Sequence, residues 1–119
     1  MNQNPNNKTY NLEERSLQFA QRINNYVRFL PKDLPNIENG KQLVRSAGSV
    51  GANYIEANES LSKKDFVMRA KISKKEAKES RYWLILTQPR ESSQREKEIL
   101  VQEATELMKI LGSILEKSK

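Results

Sequence analysis

Residues 62–89 read SKKDFVMRAKISKKEAKESRYWLILTQP, and they carry the signals of one long helix. Ser62 followed by Asp65 has the spacing of a capping box, and Pro89 cannot continue a helix. Between them, an inward stripe at helical spacing comprises Phe66, Ala70, Ser73, Ala77, Ser80 and Leu84. The small residues in its middle predict close approach by a neighbouring helix.

The remainder of the chain contains three further segments with helical spacing of apolar residues. They predict helices over about residues 12–30, 36–60 and 94–117, with the prolines at 31 and 35 in a connector. Asn11 with Glu14, and Ser93 with Glu96, are further capping-box candidates. Four long helices joined by short connectors predict an all-α protein, an antiparallel up-down-up-down four-helix bundle. We expect the bundle domain to span residues 11–119 and the asparagine-rich residues 1–10 to form a disordered tail.

Composition excludes several kinds of chemistry. The 119 residues include no cysteine and no histidine, which removes disulfides, thiolate nucleophiles, imidazole bases and most zinc sites. We therefore expect no catalytic residues, no metal and no cofactor. A polar group on the second helix, formed by Ser46, Ser49, Asn53 and Glu56, is interpreted as structural, with Asn53 and Glu56 as a polar pair. An enzyme would instead require a pocket that gathers Arg45, Asn53 and Glu56 around a ligand.

We expect neither a signal peptide nor a membrane-spanning segment. The polar first residues have no apolar signal-peptide core, and no apolar run approaches the roughly 20 residues that span a bilayer. We expect a cytoplasmic protein with neither a membrane partner nor a small-molecule substrate.

Basic residues concentrate on one face of the third helix. Residues 63–81 contain eight basic residues against three acidic ones, an excess close to the whole net charge of +6. Seven of them fall within an arc of roughly 120°. We call this set the basic stripe: Lys63, Lys64, Lys71, Lys74, Lys75, Lys78 and Arg81. Two interpretations remain open, a solvated face whose lysines pair with Glu76 and Glu79, or a nucleic-acid-binding surface.

A third facet of the same helix is apolar. It includes Met68, Ile72 and Trp83, and burying a tryptophan removes on the order of 150–250 Å² from water. We predict that this facet meets a neighbouring subunit, against a second facet formed by Val44, Gly48, Gly51 and Ile55. Contact between two different facets is heterologous and can close into a ring. The alternative is a bundle core wide enough to take both facets.

Two segments at this separation resemble a known family. Residues 49–56 read SVGANYIE and residues 75–84 read KEAKESRYWL. Together they resemble the 23S rRNA intervening-sequence protein family, although Ala57 stands where many members have glycine. The resemblance implies an antiparallel four-helix bundle, assembled in related proteins as a homopentameric ring, and no enzymatic activity. A similar protein is the accessory subunit of diversity-generating retroelements, which associates with a reverse transcriptase and nucleic acid.

These observations favour a non-enzymatic oligomeric bundle that binds RNA or a ribonucleoprotein through the basic stripe. Without a loop of exposed aromatic residues, we expect weak sequence specificity. The alternative is a protein-interaction scaffold or accessory subunit with no direct nucleic-acid contact.

Overall fold

The computed structural model describes residues 11–119 as four α-helices and one short 3-10 turn, with no strand in this range. The helices are α1 (Leu12–Arg28), α2 (Leu34–Asn58), α3 (Lys63–Leu86) and α4 (Gln94–Lys117), and the turn is Glu91–Ser93. The all-helical prediction is confirmed. The predicted disordered tail, residues 1–10, lies outside the described residues. Across residues 11–119, no helix combines the length and apolarity needed to cross a membrane.

Two of the four helices begin with a side-chain cap. The Ser62 hydroxyl accepts a hydrogen bond from the Asp65 backbone N–H at 3.1 Å, as its spacing predicted. Asp33 caps α2 in the same way, accepting from the Asn36 N–H at 2.9 Å. The prediction that Asn11 caps α1 was wrong, because its side chain makes no capping hydrogen bond.

The last helix also begins without the predicted cap. Ser93 precedes α4 but makes no side-chain capping bond, and the 3-10 turn leads into the helix instead. Glu96, the other half of the predicted capping box, forms an ion pair with Arg22 of α1. A long-range ion pair therefore takes the carboxylate that the local motif would use.

The second helix begins earlier than its prolines suggested. Pro35 lies in the first turn of α2, where the backbone N–H has no intrahelical partner and the fixed φ of proline is already helical. The predicted start at residues 36–38 was therefore late by about one turn. At the other end α2 stops at Asn58, and Leu61, which follows the helix, is fully exposed.

Cross-helix contacts show that sequential helices are antiparallel. Between α2 and α3, Ser46 pairs with Ser80 near one end and Asn53 with Arg69 towards the other. Asn58, at the end of α2, bonds to Glu13 at the start of α1. Two ion pairs join α1 to α4 in the same antiparallel sense, Arg15 with Glu103 and Arg22 with Glu96. The chain thus folds up-down-up-down, with α4 returning to α1.

The core contains the inward stripes of all four helices. Its members are mainly leucine and alanine, and they pack together with little or no exposure to water. The cluster comprises Leu12, Phe19, Ile23, Tyr26, Leu30, Leu43, Ala47, Val50, Tyr54, Ala77, Leu84, Leu100, Ala104, Leu107 and Leu111. Half-buried Val27 and Ile114 pack against this cluster from α1 and α4.

Three buried serines take part in the contact between α2 and α3. Ser46 and Ser80 lie 2.8 Å apart, and Ser73 donates to the Val50 carbonyl at 2.7 Å. We call Ser46, Ser73 and Ser80 the serine seam, and all three are fully buried. Small side chains let the helix backbones come close, and each hydroxyl has a partner, so burial carries no unpaired polar group.

Polar contacts also fix the end of the bundle near Thr87. The Tyr26 and Thr87 hydroxyls lie 2.8 Å apart, and Gln88 exchanges two hydrogen bonds with the Asn36 side chain. Lys97 donates to the carbonyls of Ile85 and Thr87 at 3.1 and 2.8 Å. The Lys97 bond to Ile85 satisfies a carbonyl that the last turn of α3 leaves without an intrahelical partner, and the other bonds hold the segment after α3 against its neighbours.

Candidate nucleic-acid interface

The basic stripe lies on the solvent side of α3. All six of its lysines are exposed, whereas Arg81 is half-buried and its Nε is shielded without a hydrogen-bond partner among the described residues. The inward stripe on the other side of α3 is buried from Ala70 to Leu84, with Phe66 half-buried. The helical spacing therefore predicted these two faces correctly, and Arg81 lies at their boundary.

The acidic residues of α3 do not neutralise the basic stripe. Glu76 and Glu79 face the neighbouring helix, where Arg45 lies 3.5 and 3.4 Å from their carboxylates. Glu76 is itself buried, and its Oε1 accepts no hydrogen bond from the described residues. The interpretation that these carboxylates pair with stripe lysines was wrong, because they lie towards α2.

The other ion pairs also do not include the basic stripe. Within residues 11–119, none of the ion pairs involves a residue of the basic stripe. Hydrogen bonds to Glu103 and Glu96 raise the pKa of Arg15 and Arg22, so two carboxylates of α4 are engaged by α1. The positive charge of the stripe is therefore not offset by ion pairs within the described residues.

One stripe lysine extends over the last helix. A methyl group added at Gly112 of α4 would lie 3.4 Å from the Lys74 Nζ and 3.7 Å from its Cε. The end of the Lys74 side chain, including its ammonium group, thus lies beside Gly112.

The predicted subunit facet on α2 is only partly exposed. Val44 and Ile55 are 39% and 42% exposed, and Gly48 has open space beside it. Gly51 does not belong to this facet, because it is buried and an added Cβ would lie 2.9 Å from the Ser16 hydroxyl. The prediction for Gly51 was wrong: its missing side chain lets α1 approach.

The apolar facet on α3 divides in a similar way. Met68 is 47% exposed and Ile72 is half-buried. Trp83 is also half-buried but packs against the core cluster, so the bundle core takes part of this facet, as the alternative interpretation allowed. The Trp83 indole N–H is buried without a hydrogen-bond partner in residues 11–119. Buried indole N–H groups normally have one.

The polar group on α2 is spread over several contacts. The Asn53 amide donates to the Ser49 hydroxyl at 2.8 Å and accepts from Arg69 at 3.2 Å. Glu56 is exposed, so the predicted Asn53–Glu56 pair is replaced by Asn53–Arg69. Arg45, which an enzyme site would place beside Asn53 and Glu56, instead pairs with Glu76 and Glu79. No group of three metal-binding side chains occurs in the described part of the chain.

One residue beside the basic stripe escaped the sequence analysis. Tyr82 is 57% exposed, and it lies four residues after Lys78 and seven after Lys75. These spacings place it on the lysine face. This spacing is visible in the sequence, but the face was predicted there from its lysines alone.

The fold and this surface define a class: a small all-helical protein of four antiparallel helices with a strongly basic outer face. The chain belongs to the 23S rRNA-intervening sequence protein family, whose model matches residues 8–113. It is similar to a protein of unknown function from the S23 ribosomal protein family of Bacteroides thetaiotaomicron VPI-5482, known from a crystal structure. The two are 34% identical with a TM-score of 0.78, over 92% of this chain and 98% of that one. We find no match among curated proteins.

Proposed function

We propose that this protein is a non-enzymatic, ring-forming bundle that binds RNA or a ribonucleoprotein through the basic stripe. The observation that carries the proposal is the state of the six stripe lysines, which are exposed and have no ion-pair partner within residues 11–119. Ordinary solvated helix faces carry acids among their lysines, but here the nearby carboxylates face Arg45. A partner that supplies negative charge would complete this surface.

The stripe has dimensions that suit a nucleic-acid backbone. Its lysines extend over about four helical turns, a distance of about 22 Å at 1.5 Å per residue. Each phosphate that a lysine neutralises releases counterions, so affinity falls with salt at a slope of about −0.9 per contact. Several contacts per subunit, multiplied by the subunits of a ring, would give strong binding from individually weak contacts.

The proposed ring rests on the exposed apolar residues. Val44, Gly48 and Ile55 on α2 would meet Met68 and the outer edge of α3 in a neighbouring subunit. Because the two facets differ, the contact is heterologous, and closure of such contacts gives a ring.

A charge-reversal variant tests the RNA proposal. We expect Lys71/Lys74/Lys78→Glu to reduce the slope of log affinity against log salt by about three, since each lost lysine–phosphate contact contributes about one. The control is Arg28/Lys32/Arg90→Glu, which changes the net charge equally through exposed residues outside the stripe.

The assay is a titration with a structured RNA at several salt concentrations. If both triple variants lose affinity equally, only net charge matters and the stripe is no site. If neither affects binding, the protein-interaction scaffold becomes the better account. A protein partner that survives nuclease treatment would support that account directly.

A single substitution tests the ring. Gly48 has no atom within 4 Å of an added Cβ, so Gly48→Glu should leave the monomer fold intact while placing a charge within the proposed contact. The control is Gln21→Glu, an equal charge change on the exposed side of α1. Light scattering should show a ring for the wild type and the control but smaller species for Gly48→Glu. A monomeric wild type would refute the ring.

A further inference from the structure

Tyr82 adds an aromatic surface to the basic stripe. It is the residue one helical turn beyond Lys78 and two turns beyond Lys75, and its side chain is 57% exposed. Ile85 lies on the same face, about one further turn on, and is 52% exposed. The lysine face of α3 therefore ends in an exposed aromatic and an exposed apolar residue.

The Tyr82 ring is held in position by its neighbour. Its centroid lies 5.1 Å from that of Trp83, with an angle of 74° between the two planes, which is an edge-to-face contact. Trp83 is half-buried and packs against the core, so it provides a fixed support. A ring that is already oriented loses little freedom when a ligand binds to it.

We propose that Tyr82 is a base-stacking residue, and that the basic stripe binds RNA at a junction between a duplex and an unpaired nucleotide. This inference rests on the proposed RNA-binding function. The stripe lysines would contact consecutive phosphates, and Tyr82 would stack on the base that has left the duplex. Tyrosine is suited to this task because every nucleobase presents a π-face to an aromatic ring.

The RNA helix itself offers no base to Tyr82. In A-form RNA the major groove is deep and narrow, and the paired bases are stacked on one another. An exposed ring can therefore reach a base only where a bulge, loop or strand end releases it. The lysines alone would bind a blunt duplex about as tightly as a bulged one, so Tyr82 would provide the preference for unpaired RNA.

The experiment compares two RNA probes that differ by one nucleotide, a blunt duplex and the same duplex with one added, bulged 2-aminopurine. The variants are Tyr82→Leu, which keeps an apolar side chain against Trp83 but has no π-face, and Tyr82→Phe, which keeps the ring. We expect the wild type and Tyr82→Phe to bind the bulged probe about fivefold more tightly or better, the fold-change equivalent to ~1 kcal/mol of base stacking. Both should quench the 2-aminopurine fluorescence.

Tyr82→Leu should lose the preference and the quenching, while its affinity for the blunt duplex stays unchanged. The inference is overturned if Tyr82→Leu still prefers the bulge, or if it changes the mass of the assembly, which would place Tyr82 in a subunit contact. Failure of the RNA proposal looks different, because the Lys71/Lys74/Lys78→Glu variant would then bind the blunt duplex as well as the wild type.

Discussion

Gly51 allows α1 and α2 to pack closely, and its replacement by alanine gives a sharp test of that contact. An added Cβ would lie 2.9 Å from the Ser16 Oγ and 3.4 Å from the Ser16 Cβ. The Ser16 hydroxyl also donates to the Glu13 carbonyl at 3.0 Å, so it cannot rotate away without losing that bond. We therefore expect Gly51→Ala to destabilise the protein.

The magnitude follows from two opposing contributions. Alanine gains about 0.5–1 kcal/mol over glycine in a helix interior. Overpacking of a buried contact costs about 1–3 kcal/mol. The net change in the free energy of unfolding should be a loss of about 1 kcal/mol.

Gly112→Ala is the matched control, because its Cβ would meet only the flexible end of Lys74 at 3.4 Å. It should stabilise the protein by about 0.5–1 kcal/mol through helix propensity. The two variants should thus differ by about 2 kcal/mol, which corresponds to roughly 1 M in the urea midpoint.

Urea denaturation followed by circular dichroism measures this difference at one protein concentration. Ser16→Ala in the Gly51→Ala background should restore much of the loss, giving a double-mutant coupling of about 1 kcal/mol. If Gly51→Ala proves as stable as Gly112→Ala, the reasoning about close packing at Gly51 is refuted.

Three further perturbations test the fold. Burial raises the pKa of Tyr26, and its hydrogen bond with Thr87 partly offsets that rise. The protonated phenol therefore contributes stability that is complete below about pH 10 and is lost as the pH rises through the raised pKa. Tyr26→Phe should remove this contribution and make the free energy of unfolding depend less on pH in the alkaline range. Glu103→Gln should cost about 0.5–1 kcal/mol by breaking the bidentate pair with Arg15, and the loss in urea denaturation should shrink at high salt. Ser80→Leu should cost more than about 2 kcal/mol because the buried α2–α3 contact has no room for it, and a thermal melt unchanged from wild type would contradict this.

Periodicity predicted the helices and most of the core, because long segments without helix breakers leave few alternatives. It could not predict which cations Glu76 and Glu79 would pair with. Glu76 and Glu79 are neighbours of stripe lysines in sequence, yet Arg45 of another helix engages them. Such a pairing depends on how α2 and α3 are rotated against each other, which a single helical wheel does not contain.

The glycines and caps show the same limit. Gly48 and Gly51 differ by about 60° around α2, which is enough to place one in solvent and the other against α1. Ser62 and Ser93 share one capping motif, but only Ser62 caps its helix. Local spacing defines which contacts are available, and tertiary packing decides which are made.

The serine seam has a consequence for the lysines on the opposite side of α3. Hydroxyl bonds have direction, so the contacts of Ser73 and Ser80 fix the rotation of α3 about its own axis, where large apolar side chains would tolerate some turning. The arrangement of the basic residues in space therefore depends on the packing of α3 in the bundle. A synthetic peptide of residues 62–89 would carry every charge of this surface without its geometry, and it should bind RNA only as a flexible polycation does.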